Sequence, residues 1–368
     1  TDGIVPNTEI VHDRSNLEVM RGCIRGCRFC QAGYTYRPVR PRSPETLRRQ
    51  AIESLENSGC HEITLSSLST SDYRGLPELA DAMLDYCAPR KINLSLPSLR
   101  ADNFSRDLML RLQQVRKSGL TFAPEAGTQR LRDAINKNVT EQEILDTCAI
   151  AFEGGWNNVK LYFMLGLPTE TDEDVLGIAK LVYEILKTWR EHASNKKRGV
   201  RIHVATAFFV PKPFTPFQWE PQDTQEMVRE KQSHLREKLR IKGVTFNYHE
   251  SDLSYLEACF ARGDRRMGQV LLRAYQKGCM LDGWTELFKY DMWREAFSEL
   301  GIDPAFYAYR RREKDEIMPW DVIDCGVTKE FLWREKEKAE KAQTTKDCRK
   351  GCNGCGLQRF KGVCKYCG

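Results

Sequence analysis

The stretch RGCIRGCRFCQAG at residues 21–33 is the most informative part of this chain, because it places three cysteines close together at Cys23, Cys27 and Cys30. It directly follows the first apolar run. Three neighbouring thiolates on a glycine-containing loop can hold three corners of a cubane iron–sulfur cluster and leave one iron without a protein ligand. An open coordination position separates catalytic metals from structural ones. A fourth cysteine from elsewhere, such as Cys60, would instead close the site as an electron-transfer cluster or a zinc site.

Short apolar runs alternate with helical patterns from residue 17 to about residue 240. The runs are LEVM at 17–20, EITL at 62–65, INLSL at 92–96, LTFA at 120–123, VKLYFML at 159–165 and RIHVATAFFV at 201–210. Helix starts follow them, as at Ser43-Pro44 and in the capping-box pattern of Thr171 and Asp174. Six strand-helix units in series predict a parallel sheet, because parallel neighbours need crossover connections. The spacing fits an open doubly wound sheet and an incomplete β/α barrel equally well.

The cysteine spacing on the first strand-helix loop resembles that of the radical S-adenosylmethionine (SAM) enzymes, and further motifs follow in order at later strand ends over residues 15–240. The resemblance implies an α/β fold built as a partial (β/α)6 barrel. It implies that Cys23, Cys27 and Cys30 hold a [4Fe-4S] cluster whose unique iron chelates SAM. In that family an electron from the cluster cleaves SAM to methionine and a 5′-deoxyadenosyl radical. An electron donor such as a flavodoxin or a ferredoxin is therefore an expected partner.

The resemblance also assigns SAM contacts to this chain. Phe29 stands where an aromatic residue lies against the adenine. Ser66 and Ser69 stand where many members bind the methionine amino group through a Gly-Gly-Glu segment, so the ligand of that group stays open. Ser98 and Arg100 offer a hydroxyl and a cation to the carboxylate end, although Arg100 is equally well explained as a surface ion pair.

Residues after the last three strands complete the expected SAM site. Glu125 stands where a polar residue meets the ribose or the methionine moiety, and Arg130 is a second candidate for the carboxylate. Gly166 and Pro168 belong to a segment whose backbone lies against the adenine in the family. Val210 belongs to a second segment whose backbone lies against the adenine in the family.

Composition and cysteine usage limit the class of protein. The chain has 368 residues, a net charge of +6 and 14 cysteines, of which three lie at 23–30 and five at 348–367. Because there is no signal-peptide pattern and no long apolar segment, we expect a cytoplasmic protein without membrane partners, whose clustered thiols bind metal. The chain begins with Thr1, so we expect a segment upstream of it.

The second cysteine group is Cys348, Cys352, Cys355, Cys364 and Cys367, in a basic tail at 344–368. Two Cys-x2-Cys pairs suit one tetrahedral zinc. Alternatively, the first three cysteines repeat the spacing of the catalytic loop and, with a fourth thiolate, hold an auxiliary iron–sulfur cluster. Because the tail has few apolar residues, we expect it to fold around its metal and not to form a hydrophobic core.

These patterns divide the chain into a barrel at 1–243, a mainly helical extension at 244–343 and the metal-binding tail at 344–368. The charged helical pattern at 328–342 is either a docking surface or a solvated helix with one apolar side, and the second interpretation is favoured because charge runs usually face solvent.

The motifs APEAGT, KLYFMLGLPTETDED and FVPKPFTPFQW resemble the branch of the family whose members often carry an upstream cobalamin-binding domain, and more distantly the methylthiotransferases. The favoured function is methyl or methylthio transfer to an unreactive carbon of a macromolecule. RNA is one candidate, supported by the basic tail and by 196–198. Cobalamin bound to a separate domain or chain is a further expected cofactor. The alternatives are a radical SAM enzyme acting on a peptide or small molecule, and a non-catalytic barrel whose tail binds nucleic acid or protein.

Overall fold

The computed structural model describes residues 5–96, 120–360 and 362. The strands are β1 (Ser15–Glu18), β2 (Met20–Arg21), β3 (Arg40–Pro41), β4 (Glu62–Ser66), β5 (Asn93–Ser95), β6 (Leu120–Glu125), β7 (Asn158–Leu165), β8 (Arg201–Phe208) and β9 (Val244–Tyr248). The helices are α1 (Ala32–Thr35), α2 (Pro44–Ser58), α3 (Leu76–Cys87), α4 (Gln129–Ala134), α5 (Glu141–Glu153), α6 (Asp172–His192), α7 (Gln225–Lys238), α8 (Ser251–Ala261), α9 (Met267–Gln276), α10 (Tyr290–Glu299), α11 (Pro304–Ala308) and α12 (Lys329–Glu340). Single 3-10 turns lie at Thr70–Asp72, Cys348–Lys350 and Leu357–Arg359.

Two parallel sheets organise the first two thirds of the described chain. One has the strand order β1-β4-β5 and the other β6-β7-β8-β9, while β2 and β3 form a small antiparallel pair. Helices follow most of the parallel strands, as crossover connections require. The predicted α/β fold with parallel strands is confirmed.

The sheet that begins at β6 extends one strand further than the apolar runs predict. β9 pairs in parallel with β8 and starts at Val244, just beyond the boundary expected at 243. Its side chains alternate between half-buried and exposed, so the segment VTFNY does not form a strong apolar run. An edge strand of this kind gives only a weak sequence signal.

One face of the second sheet is buried under helices. Val159 and Leu161 of β7 pack with Ile178 and Val182 of α6 in the largest apolar cluster among the described residues. The side chains that alternate with them, such as Tyr162, are more exposed. Because alternate residues of a strand point to opposite faces, the described residues cover the other face of β7 less completely.

The helix starts follow the sequence signals. Ser43 Oγ accepts a hydrogen bond from the Thr46 amide at 3.3 Å at the start of α2. At the start of α6, the Asp174 carboxylate accepts from the Thr171 amide at 2.8 Å. Such caps satisfy amides that have no partner within the helix.

The C-terminal part of the described chain divides its apolar residues between two places. Helices α8 to α11 form a cluster of their own around Trp293 and Phe297. Phe331 of α12 packs instead with Tyr34, which follows the three cysteines. No helix within the described ranges combines the length and apolar character needed to cross a bilayer.

Candidate metal centre

The three-cysteine loop lies beyond the carboxyl end of β1, between β2 and α1. Cys27 is buried, and Cys23 and Cys30 are half-buried. The backbone amide of Arg25 donates to Cys23 Sγ at 3.4 Å, which favours the thiolate form. The loop therefore presents three soft donors at one sheet edge, the donor set that iron–sulfur clusters use.

Burial sets the protonation of these thiols. It raises the pKa of Cys23 to about 12, and the nearby charge of Cys27 adds to this effect. Burial and Cys27 also raise the pKa of Cys30. Metal binding must therefore displace protons, as it does at thiolate sites in general.

The described residues do not form a site for a single ion. Within residues 5–96, 120–360 and 362, no three His, Cys, Asp or Glu side chains lie close enough to hold one metal ion. A four-iron cluster lies between its thiolates and holds them farther apart than a single ion does. This finding therefore concerns single-ion sites, while the donor set of the loop fits a cluster.

Cys60 lies far from this loop. It precedes β4, at the amino end of a strand that runs parallel to β1. The strand has 5 residues, which separates its two ends by about 16 Å at roughly 3.3 Å per residue. Cys60 therefore does not complete the ligand set of Cys23, Cys27 and Cys30.

A buried ion pair fastens the loop to the first sheet. Arg25 donates to the two carboxylate oxygens of Asp72 at 2.8 and 2.5 Å. Ser69, expected near the methionine amino group, donates to the same carboxylate at 2.6 Å. Ser66 ends β4 with its side chain half-buried, and its carbonyl accepts from the Val19 amide at 3.0 Å. In this structure Ser69 positions Asp72, and Asp72 positions the loop.

Glu125 lies beside the cysteine loop. It ends β6 next to a β-bulge and has a φ of 68°, which is uncommon for a residue with a side chain. Lys137 Nζ lies 2.9 Å from its carboxylate, and both charges act on Cys30. Backbone conformations of this kind persist where the surrounding structure enforces them, often at functional sites. The structure thus brings Glu125 to the thiols.

The ends of β7 and β8 also meet the loop. Phe29 packs against an apolar cluster that contains Leu167 and Phe209. Gly166 has a φ of 78° and Pro168 is half-buried two residues later. Phe29, which precedes Cys30, therefore lies at the end of the second sheet where Gly166 and Pro168 follow β7.

Two expected SAM contacts have other partners. The side chain of Val210 packs among the C-terminal helices, with Tyr255. Arg130 forms an ion pair with the buried Asp174 and donates to the Thr169 carbonyl at 2.7 Å. Arg130 thereby stabilises the start of α6, a role that its sequence position does not reveal. Ser98, Arg100, Cys364 and Cys367 lie outside the described residues.

The tail docks onto the same loop. The Cys348 amide donates to the Ile24 carbonyl at 3.4 Å. Cys355 and Leu357 are buried in the apolar cluster that contains Trp219. The tail thus contributes two residues to an apolar cluster that the rest of the chain supplies, which the expectation for an isolated tail did not include.

Helix α12 connects the tail to the loop and is not simply solvated. Arg28, wholly buried between Cys27 and Cys30, donates to Glu335 Oε2 at 3.3 and 3.1 Å. Burial raises the pKa of Glu335, but the hydrogen bond from Lys338 and the charge of Arg28 outweigh it and lower the pKa overall. Arg334 and Glu337 of this helix are exposed while Phe331 and Leu332 are buried, so α12 has one exposed, charged side and one apolar side, and the buried Arg28–Glu335 pair adds to the apolar side.

Asn136 makes a second bridge between loop and tail. The side-chain nitrogen Nδ2 of Asn136 donates to the Gly26 carbonyl at 3.0 Å. The side-chain oxygen Oδ1 accepts from the backbone amide of Thr345 at 2.7 Å. Sequence reasoning missed Asn136, Asp72 and Glu335, since no local pattern marks them. Arg28 could have been identified from the sequence as part of the site, because it is a cation inside the cysteine motif itself.

The comparisons with known proteins agree with this geometry. Residues 17–182 match the Radical SAM superfamily. An uncharacterized protein of Methanocaldococcus jannaschii is 33% identical over 74% of this chain and 59% of its own length. The tRNA-2-methylthio-N(6)-dimethylallyladenosine synthase of Ehrlichia chaffeensis is 25% identical over 63% of this chain and 51% of its own length. The chain thus spans little more than half of these relatives.

A solved structure is also similar. The radical S-adenosylmethionine methyltransferase TsrM from Kitasatospora setae, with tryptophan and a SAM analogue bound, superposes with a TM-score of 0.40 and 14% identity. The match covers 55% of this chain and 37% of that one.

Proposed function

We propose that this chain, whose residues 17–182 match the Radical SAM superfamily, is an enzyme that cleaves SAM reductively and transfers a methyl or methylthio group to an unreactive carbon of an RNA. The observation that carries the proposal is the three-thiol loop, which two buried ion pairs fasten and which lies near the Lys137–Glu125 pair. When bound, the cluster supplies the electron for SAM cleavage.

The residues of the chain have separate tasks in this proposal. Cys23, Cys27 and Cys30 hold the cluster and leave one iron for SAM. Glu125, with Lys137 as its counter-ion, accepts hydrogen bonds from the ribose or the methionine moiety. The Arg25–Asp72 pair keeps the thiols in place, which limits the motion of the bound cofactors.

The transfer chemistry and the RNA substrate are supported by the relatives named as tRNA methylthio-adenosine synthases. The basic segment at 196–198 does not add to this support, because it precedes β8 and lies at the amino end of the strands, opposite the thiols. We further propose a flavodoxin or ferredoxin as electron donor and, where the group is methyl, cobalamin carried by a separate domain or chain.

The first test is SAM cleavage. Anaerobically reconstituted protein with dithionite and SAM should release 5′-deoxyadenosine, measured by liquid chromatography and mass spectrometry. Replacing Cys23, Cys27 and Cys30 by serine should abolish the release, while Cys60→Ser should preserve it. Cleavage by the triple variant at the rate of the parent would exclude this cluster site.

The second test concerns the substrate. With SAM labelled in its methyl group, bulk tRNA treated with the enzyme and its reductant should yield labelled nucleosides after digestion. Label found only in added peptide or in a small molecule would show that the substrate class is wrong, even if SAM is cleaved.

A further inference from the structure

The described tail thiols share a pocket with the first cysteine of the catalytic loop. Cys23, Cys348, Cys352 and Cys355 all line it, and none of the cysteines in the described ranges is in a disulfide. Arg37 lines the same pocket. The catalytic loop and the tail are more than 300 residues apart in sequence, and cysteines from both line this one pocket.

Arg37 is a buried cation in this pocket. Its exposed fraction is 8%, and its Nε donates to the Gly33 carbonyl at 2.8 Å while its guanidinium lies 4.8 Å from the Tyr34 ring centre. Among the described residues its Nη1 has no hydrogen-bond partner. A buried donor without an acceptor costs roughly 1–3 kcal/mol, more for a charged group. The pocket thus places a buried cation among the thiols.

The tail thiols are placed to supply negative charge beside Arg37. Cys348 and Cys355 line the pocket together with Arg37. A metal centre with several thiolates is negatively charged. Such a centre would pair with Arg37 in surroundings where an isolated charge is unfavourable.

The tail repeats the cysteine spacing of the catalytic loop, and one thiol in each motif, the first in the loop and the second in the tail, accepts a hydrogen bond from a backbone amide. The Gly354 amide donates to Cys352 Sγ at 3.3 Å, just as the Arg25 amide donates to Cys23 Sγ at 3.4 Å. In both cases the donor is two residues after the cysteine. The spacing Cys348-x3-Cys352-x2-Cys355 also equals that of the catalytic cysteines.

The tail segment is anchored independently of any metal. Arg349 forms ion pairs with Asp72 at 3.4 Å and with Asp347 at 3.2 Å. The Cys355 carbonyl accepts from the Thr328 amide at 2.9 Å. The tail is therefore fixed on the same carboxylate, Asp72, that positions the catalytic loop.

We propose that Cys348, Cys352 and Cys355 hold a second, iron–sulfur centre in the pocket that they share with Cys23, and that Arg37 is its counter-cation. The centre lies directly against the catalytic loop. This proposal goes beyond SAM cleavage and does not depend on it.

The first experiment counts metals in the full chain after anaerobic reconstitution. Two four-iron clusters predict about eight irons and eight acid-labile sulfides per chain. Replacing Cys348, Cys352 and Cys355 by serine should halve both, and the same change at Cys23, Cys27 and Cys30 should also halve them. The matched control Cys60→Ser should change neither.

Other results would overturn the proposal. About four irons in the parent protein, all lost with the catalytic cysteines, together with about one zinc lost with the tail cysteines, would make the tail a zinc site. Iron that does not change when the tail cysteines are replaced would mean that they bind no cluster. Two clusters in a protein that releases no 5′-deoxyadenosine would uphold this proposal and refute the proposed function.

The second experiment tests Arg37 in the variant that lacks the three catalytic cysteines, so that only the tail centre contributes a signal. The reduction potential is followed by electron paramagnetic resonance. Arg37→Gln should lower the potential, because losing a nearby positive charge disfavours the added electron, and Arg37→Lys should restore most of it. Equal reduction potentials with Arg37, Gln or Lys at this position would refute the role of Arg37. Equal changes caused by Arg37→Gln and Arg37→Lys would refute it as well.

Discussion

Replacing Glu335 by alanine would leave the guanidinium of Arg28 buried without its carboxylate. Both side chains are almost completely inaccessible, at 0% and 2% exposure. Arg28 would keep its bonds to the carbonyls of Ala134 and Gln343, at 2.8 and 2.7 Å, but not its counter-charge. Removing one partner of a buried pair typically costs about 3–5 kcal/mol. We expect a loss in that range.

The assay is equilibrium urea unfolding of the metal-free full chain, followed by near-ultraviolet circular dichroism. With a slope of about 3 kcal/mol per molar urea, the midpoint should fall by roughly 1 M or more. Glu337→Ala is the matched control, because it removes the same group from an exposed position on the same helix and with it one exposed hydrogen bond from Trp333, which contributes only about 1 kcal/mol. Equal midpoints for the two variants would refute the reasoning.

The same variant should also affect the metal site. Arg28 lies between Cys27 and Cys30, so losing its anchor frees the loop that carries the thiols. We expect Glu335→Ala to retain less iron than Glu337→Ala after gel filtration. Full retention of iron together with reduced stability would show that α12 supports the fold without positioning the loop.

Three further predictions concern pH, SAM binding and packing. Folding lowers the pKa of Glu335, so its ionised carboxylate stabilises the fold above the unfolded value near 4.5, and this contribution is lost as pH falls through the folded pKa. Glu335→Gln should therefore make the free energy of unfolding less dependent on pH in the acid range. An unchanged dependence would contradict this. Glu125→Gln should weaken SAM binding about 10- to 100-fold in calorimetry with iron content unchanged, since a hydrogen bond to a charged group contributes roughly 1.5–3 kcal/mol, and a parallel loss of iron would mean a structural role. Gly127→Ala should destabilise the protein in thermal unfolding because its Cβ would lie 2.3 Å from a backbone oxygen of α6, whereas Gly268→Ala, with nothing within 4 Å, should be neutral or stabilising.

The local patterns of the sequence predicted the framework well. All six apolar runs coincide with parallel strands, and the helix starts at Ser43 and Thr171 are found where the capping signals placed them. The reason is that strand alternation and capping depend on neighbouring residues, which the sequence shows directly. The thiol loop was predictable for the same reason, since its donors lie within a few residues of one another.

The roles of individual polar residues were harder to predict. Ser69 and Arg130 carried assignments to SAM, and the structure engages them with Asp72 and Asp174. Both carboxylates are buried, and the sequence does not reveal which polar residues are buried. A hydroxyl or guanidinium near a strand end can serve a ligand or a neighbouring carboxylate, and only the packing shows which partner is within reach.

The sequence by itself determined the parallel α/β framework and the donor set of the metal loop, because both follow from short-range spacing. The tertiary structure alone decided how the C-terminal helix and tail complete the site. Arg28 and Glu335 are 307 positions apart, and the charges of α12 look solvated until that partner is in place. Charged residues are usually exposed, so a local pattern of charges predicts that these side chains face solvent. A distant residue of opposite charge can make their burial favourable, and only the tertiary structure shows that residue.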